Sequence, residues 1–347
     1  MGSQPEAKRT FVAALASHDN DDVNNSLSRL FERLYKESPD RLRNFHFVVT
    51  GGTFNRILAD DAKTGGNITP VSDNEGARSF IRANTTCLPP REEGGVTLLS
   101  YLVVQRRCSV IWPFFTPLTG HWLTPENLAL MRLCDLWHVK RLMNRGSVEE
   151  WFTREAETDA KRNRQPWPPN LYLADDEEEG RTAACNALPL RNGGWRIKPE
   201  AQALPTTNNG EPDFRRMTLA LIAHDEMKSR MVEFAVDFER ELSIFDRILT
   251  TGTTGRQVED ATPKLGKGGK IYRYHSGPKG GDIEIATEIL LGRCHVVVFF
   301  VDPLNPHPHI EDIRVVFGAC MIRDQVRMLT NEMQAREWMG RVVRKRL

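Results

Sequence analysis

Residues 292–304 read "GRCHVVVFFVDPL", and the reading of that run decides the fold. Val296 to Val301 are all β-branched or aromatic, the types that fit a pleated sheet. The apolar run is continuous rather than alternating, as in a parallel strand buried on both faces. It is read here as the central strand of its sheet. On either side, short apolar runs (219–224, 247–252, 270–275 and 326–331) alternate with helical patterns (226–245, 256–262, 282–293 and 310–322). Strict β-α alternation predicts a parallel sheet covered by helices on both faces.

The same run occurs earlier in the chain. "RRCSVIWPFFTPL" (106–118) parallels it, "FVAALASHD" (11–19) parallels "TLALIAHDE" (218–226), and "FVVTGGT" (47–53) parallels "ILTTGTT" (248–254). "MRLCDLWHVKRLM" (131–143) likewise parallels "FGACMIRDQVRML" (317–329). One spacing separates Cys108 from Cys294, Cys134 from Cys320 and Gly94 from Gly280, without a gap. A duplication is predicted. The fold class expected is α/β: two tandem Rossmann-like, three-layer α/β/α domains, each with a five-stranded, mainly parallel sheet. The first spans 10–153, with an insertion at 64–79; a linker rich in Pro, Asn and acidic residues spans 154–216; the second domain spans 217–347.

Composition narrows the function. The chain has 347 residues, 40% hydrophobic and 27% charged, so globular domains with sizeable cores are expected. With 47 basic and 46 acidic residues the net charge is +1, which gives no electrostatic reason for a nucleic-acid or membrane partner. Cys87, Cys108, Cys134, Cys185, Cys294 and Cys320 form no CxxC pair and no zinc spacing; free thiols in a reducing compartment are expected. The apolar run Phe11 to Ala16 is too short for a secretory core, and no run reaches the ~18 residues of a membrane span. A cytoplasmic protein is the expectation.

Ligands of open parallel sheets bind at the carboxyl ends of the strands. The polar clusters fall there: His224-Asp225, Thr251 to Gly255, Ser276 to Asp282, and Asp302 to Asp312. "TTGTTG" (250–255) follows a strand and opens a helix, so its N–H groups and hydroxyls can cradle an anion. Such a turn is equally compatible with a plain strand-to-helix connection. Lys228 can reach the same anion or lie exposed on its helix. Asp282 opens a helix and so reads either as a cap or as a base. His309 and Asp312, three apart, share a helix face, where a carboxylate can orient an imidazole. "PHPH" offers a His-x-His pair to a metal, but no further ligand has suitable spacing, and no metal is expected. An anion cradle beside a carboxylate and an oriented histidine suits proton abstraction next to a carbonyl.

At this point the second half resembles the methylglyoxal synthase family. The resemblance covers about residues 217–338 and rests on "LIAHDEMK", "TTGTTG", "SGPKGGD", "FFVDPLNPHPHIED" and "LTN", in that order. It implies a carbon-oxygen lyase, without metal or other cofactor, that converts dihydroxyacetone phosphate to methylglyoxal and phosphate. Asp282 resembles the base that takes the substrate's C3 proton, and His309, helped by Asp312, the group that handles protons on the carbonyl oxygen. Asp302, His224 and Asp225 complete the pocket. Lys228, Thr251, Thr253, Thr254, Ser276 and Gly277 hold the phosphate, which is product and expected inhibitor. Family members also contribute an arginine from a longer C-terminal segment. Here only 332–347 follow Asn331, and none of Arg341, Arg344 or Arg346 can be matched to it.

Set against the second copy, the first keeps His18, Asp19, Thr50, Gly51 and Thr53. Val96 stands where Asp282 does, Thr116 for Asp302, Leu123 for His309 and Asp22 for Lys228. Pro90-Arg91 replaces Ser276-Gly277, followed by Glu92 and Glu93, which repel phosphate. If Asp282 were only a cap, the first copy's helix would gain from an acid too. The first copy reads as a pseudo-enzyme. The alternative for the whole chain is a non-catalytic module that binds a phosphometabolite, since the same fold serves as a regulatory domain. The family forms homohexamers, so a homo-oligomer is expected, three double chains sufficing for the ring.

Overall fold

The computed structural model describes residues 10–16, 30–58, 75–108, 110–114, 123–154, 204–306, 309–323 and 325–346. His18, Asp19, Asp22, Thr116, Cys185, His307, most of the 64–79 insertion and residues 155–203 of the 154–216 segment lie outside the described residues. The described chain forms two compact units, one within 10–154 and one within 204–346.

The first unit contains strands β1 (Thr10–Ala16), β2 (Phe45–Thr50), β3 (Thr85–Leu88), β4 (Val110–Phe114) and β5 (Lys140–Arg141). They pair in parallel in the order β3-β2-β1-β4-β5. Helices α1 (Gly51–Leu58), α2 (Glu75–Ala83), α3 (Gly95–Val104), α4 (Pro125–Leu136) and α5 (Arg145–Arg154) connect or follow them. The core centres on Trp112, whose ring lies 5.6 Å from Phe31, 5.5 Å from Phe47 and 6.3 Å from Trp151. Such offset and edge contacts suit the charge distribution of aromatic rings.

The second unit alternates regularly: β6 (Thr218–Ala223), α6 (Lys228–Asp237), β7 (Arg247–Thr250), α7 (Gly252–Ala261), β8 (Ile271–Arg273), α8 (Gly281–Leu290), β9 (Val296–Phe300), α9 (Ile310–Ile322), β10 (Arg327–Leu329) and α10 (Glu332–Trp338). The strands are parallel, in the order β10-β9-β6-β7-β8. This corrects one expectation: the central strand is β6, and the apolar run of 292–304 supplies its neighbour β9. Both strands are buried along their whole length. A continuous β-branched run reports cover on two faces, which any interior strand has; it does not report position. A second correction concerns 226–245, expected as one helix. It folds as a 3₁₀ turn at Asp225–Met227, then α6, then a short helix Glu239–Leu242.

From β6 the chain builds outward to β7 and β8, then returns to the other side of β6 for β9 and β10. The connections leaving β6 and β9 therefore diverge, and a crevice opens above their carboxyl ends. Among the described residues no helix is long and apolar enough to cross a membrane.

Candidate functional site

The crevice is a cavity of about 300 Å³, at the small end of the range for small-molecule sites. Its walls come from four strand ends: Ile222 to Asp225 at the end of β6, Thr251 and Thr253 after β7, Ser276 to Pro278 after β8, and Phe299 of β9. Lys228, Asp282 and His309 close it. Nine of the twelve residues expected at a site thus meet here: His224, Asp225, Lys228, Thr251, Thr253, Ser276, Gly277, Asp282 and His309. Thr254, Asp302 and Asp312 are buried but are not among the lining residues.

The Asp282–His309 pair has a tight geometry. His309 Nε2 lies 3.5 Å from Asp282 Oδ2, with side chains 12% and 2% exposed. Gly277 passes directly over this pair: a Cβ there would sit 3.0 Å from both atoms. Asp282 is the second residue of α8, and the capping position belongs to Gly280, in the left-handed region at φ 106°. Close to the helix N-terminus, a carboxylate still gains from the helix dipole. The turn before α8 is pinned by Gly281 N–H donating to the Ser276 carbonyl at 3.1 Å and Gly280 N–H to that of Gly277 at 2.9 Å. A side chain at Gly281 would run into the His275 carbonyl.

The turn expected to cradle an anion lies at the start of α7. Thr251 caps that helix in extended conformation, and its hydroxyl donates to Thr254 Oγ1 at 3.3 Å. So Thr254 supports Thr251 from beneath rather than facing the cavity. Lys228 Nζ stands 2.6 Å from Asp225 Oδ1; the lysine side chain is 18% exposed and the aspartate 88%. Asp225 thus tethers the ammonium at the cavity mouth.

Asp302 acts through its backbone. Its N–H donates to His224 Nδ1 at 2.8 Å, so the neutral ring carries its proton on Nε2 and is a donor there. The Asp302 carboxylate accepts from Leu304 N–H at 2.9 Å and Asn305 Nδ2 at 2.5 Å, folding the loop after β9. Phe299 packs edge-on against the same imidazole, with centroids 5.1 Å apart. Asp312 is fully buried on α9, its N–H bonded to the His309 carbonyl at 3.0 Å. Two of the tail arginines are engaged elsewhere: Arg341 pairs with Glu337 at 2.7 Å, while Arg344 pairs with Glu241 and lies 5.2 Å over the Phe238 ring.

Sequence reasoning passed over Pro278 and Phe299 as lining residues and His275 with Glu284 beside them. Phe299 was visible only as one more β-former, and its facing partner His224 comes from a different strand end. Among the described residues no three His, Cys, Asp or Glu side chains group as metal ligands would.

No family model matches the chain. Methylglyoxal synthase of Brucella ovis is 46% identical over 102 residues, which are 29% of this chain and 78% of that protein. Methylglyoxal synthase of Brucella anthropi is 46% identical over 101 residues, 29% of this chain and 77% of that one. The crystal structure of methylglyoxal synthase from Elizabethkingia anophelis is 28% identical, covering 37% of this chain and 80% of that one at a TM-score of 0.33. This chain is far longer than the relatives it matches, yet it covers more than two thirds of their length. On these relatives, the chain belongs to the methylglyoxal synthase family.

Proposed function

We propose that this protein is a methylglyoxal synthase, converting dihydroxyacetone phosphate to methylglyoxal and phosphate through an enediolate. The observation that carries this reading is the approach of His309 Nε2 to Asp282 Oδ2, 3.5 Å apart and both nearly buried, in a cavity walled by threonine, serine and lysine donors. Asp282 takes a proton from C3, and the C–H electron pair forms the C2–C3 double bond. His309 donates to O2 as negative charge builds there, and His224 Nε2–H adds a second donor. Loss of the C3 hydroxyl proton then makes the aldehyde. The double bond moves to C1–C2 and the C1–O bond breaks, expelling phosphate into the cradle of Thr251, Thr253, Ser276 and Lys228. The enol left behind takes a proton at C1 and gives its O2 proton back to His309, which yields methylglyoxal. Asp312 and Asp302 position the two imidazoles. Phosphate, as product in the same cradle, acts as a competitive inhibitor.

The chain reads as a tandem duplication, with a first domain over 10–153, a linker over 154–216 and the catalytic domain over 217–347. Several details support it. Strand order is the same in both sheets. Gly94 and Gly280 share positive φ, at 90° and 106°, as do Arg106 and Gly292, at 53° and 69°. Gly95 N–H donates to the Pro90 carbonyl at 3.0 Å, as Gly281 does to Ser276 at 3.1 Å. Thr50 and Thr53 hydroxyls meet at 3.1 Å, as those of Thr251 and Thr254 do at 3.3 Å. Burial pushes the thiols of Cys134 and Cys294 up, and in each case a cysteine of the same unit adds to the effect, so the Cys108–Cys134 pair of one unit answers to the Cys294–Cys320 pair of the other. In the first domain Val96 occupies the second helix position, where the base stands in the other. That domain is degenerate on this reading, and three chains build a homo-oligomeric ring.

The test is methylglyoxal release from dihydroxyacetone phosphate by purified protein beside Asp282→Asn. Release by the parent that falls at least ~10³-fold in the variant is the expected result, since the base is lost while the shape is kept. A parent silent at saturating substrate that still binds phosphate would instead fit the non-catalytic module.

A further inference from the structure

The turn that presents Ser276 and Gly277 is held by a carboxylate outside the cavity lining. Glu284 Oε2 accepts from the His275 backbone N–H at 2.9 Å and lies 3.0 Å from His275 Nδ1. The two side chains are 1% and 15% exposed. With Oε2 accepting both bonds, Nδ1 carries the ring proton. The other face of the same peptide is also fixed: the His275 carbonyl accepts the Gly252 N–H at 3.0 Å, at the first residue of α7. His275 thereby ties α8, the Ser276-Gly277 turn and the start of α7 together at one residue. Glu284 and Asp282 lie two residues apart on α8, so one helix start supplies both the base and the anchor of the cradle.

The first unit shows what the fold itself requires. In the shared register Pro89 stands where His275 does and Leu98 where Glu284 does. Proline has no N–H to donate and leucine no oxygen to accept. Even so, the turn keeps its geometry there: Gly51 N–H reaches the Pro89 carbonyl at 3.2 Å, Gly95 N–H that of Pro90 at 3.0 Å, and Gly94 keeps φ 90°. The unit with Val96 in place of a base and Pro90-Arg91 in place of Ser276-Gly277 has thus lost both halves of the clamp and kept the turn.

We infer that Glu284 is a positioning residue for phosphate: by clamping His275 it fixes Ser276 and Gly277 against the start of α7, and it serves the cradle rather than the fold. The inference rests on the lyase reading above. Its test measures inorganic phosphate affinity by calorimetry, with KM and kcat for dihydroxyacetone phosphate, in the parent, Glu284→Gln and Glu284→Leu. The glutamine keeps an oxygen that accepts both bonds; the leucine copies the first unit. Glu284→Leu is expected to raise the phosphate Kd and the KM together by about tenfold, with kcat within about twofold and thermal midpoint near the parent's. Glu284→Gln should stay within about threefold of the parent. Equal phosphate Kd in all three proteins overturns the inference, and so does a loss confined to kcat. If Glu284→Leu does not fold, the clamp serves the fold and the inference is overturned likewise. A parent that neither binds phosphate nor releases methylglyoxal sinks the lyase reading itself, which an active parent with unresponsive variants does not.

Discussion

At Gly277 a single hydrogen atom separates the backbone from the Asp282–His309 pair. A methyl group there would press on Asp282 Oδ2 and His309 Nε2 at 3.0 Å, closer than ordinary contact, and one of the two must move. A misplacement of about 1 Å near a reacting centre costs on the order of 100-fold in rate, and the shift required here is a fraction of that. On the lyase reading, Gly277→Ala should therefore lower kcat/KM several-fold, by about tenfold at most. Its thermal midpoint should change little, because the residue is not in the left-handed region. Gly280→Ala is the opposite case. At φ 106° a Cβ strains the backbone, by about 1–2 kcal/mol, so that variant should show a lower unfolding free energy in urea. If Gly277→Ala keeps full activity, the close approach has no part in the chemistry.

Between β6 and β9 a histidine closes the sheet. Thr218 N–H donates to His295 Nδ1 at 3.0 Å, and His295 N–H donates back to the Thr218 carbonyl at 3.0 Å. Burial holds the His295 imidazole below its ordinary range, and Arg247 nearby lowers it further. Below about pH 6.5 the unfolded chain takes a proton that the folded chain still refuses. Stability therefore falls as pH drops from there toward the lowered folded value, with a slope of at most ~1.4 kcal/mol per pH unit for one proton. His295→Gln keeps an acceptor for Thr218 and cannot titrate. Urea unfolding at pH 7.5 and 5.5 should show a smaller fall in the variant than in the parent; equal falls would mean another group is responsible. Elements like these were partly legible in the sequence. The strand runs and Gly-Gly turns announce themselves through residue type, because sheet burial and positive φ each select few side chains. What stayed hidden depends on pairing in space. The central place of β6 follows from where the chain crosses back. The Asp302 N–H reaching His224, and Glu284 reaching His275, join residues whose types alone predict nothing of the contact.

Across the whole chain, two units repeat one topology while their strand-end chemistry differs. Both keep a threonine pair at the start of a helix and a left-handed glycine before the next. If those features alone held phosphate, the chain would bind two equivalents. In the second unit the cavity adds Ser276, Lys228 and the clamped turn. In the first, the corresponding 3₁₀ turn carries Glu92 and Glu93 beside Arg91, and two carboxylates oppose an anion more than one guanidinium attracts it. Calorimetric titration of the parent with inorganic phosphate should therefore give one site per chain. Lys228→Ala should weaken that site by about tenfold, a charge-assisted contact being lost, and should reveal no second one. A stoichiometry of two would mean that the first unit still binds, and the reading of it as degenerate would fall. Val96→Asp then asks whether the base alone is missing there. In an Asp282→Asn background it should restore no methylglyoxal release, because a carboxylate without a cradle has no substrate held in reach.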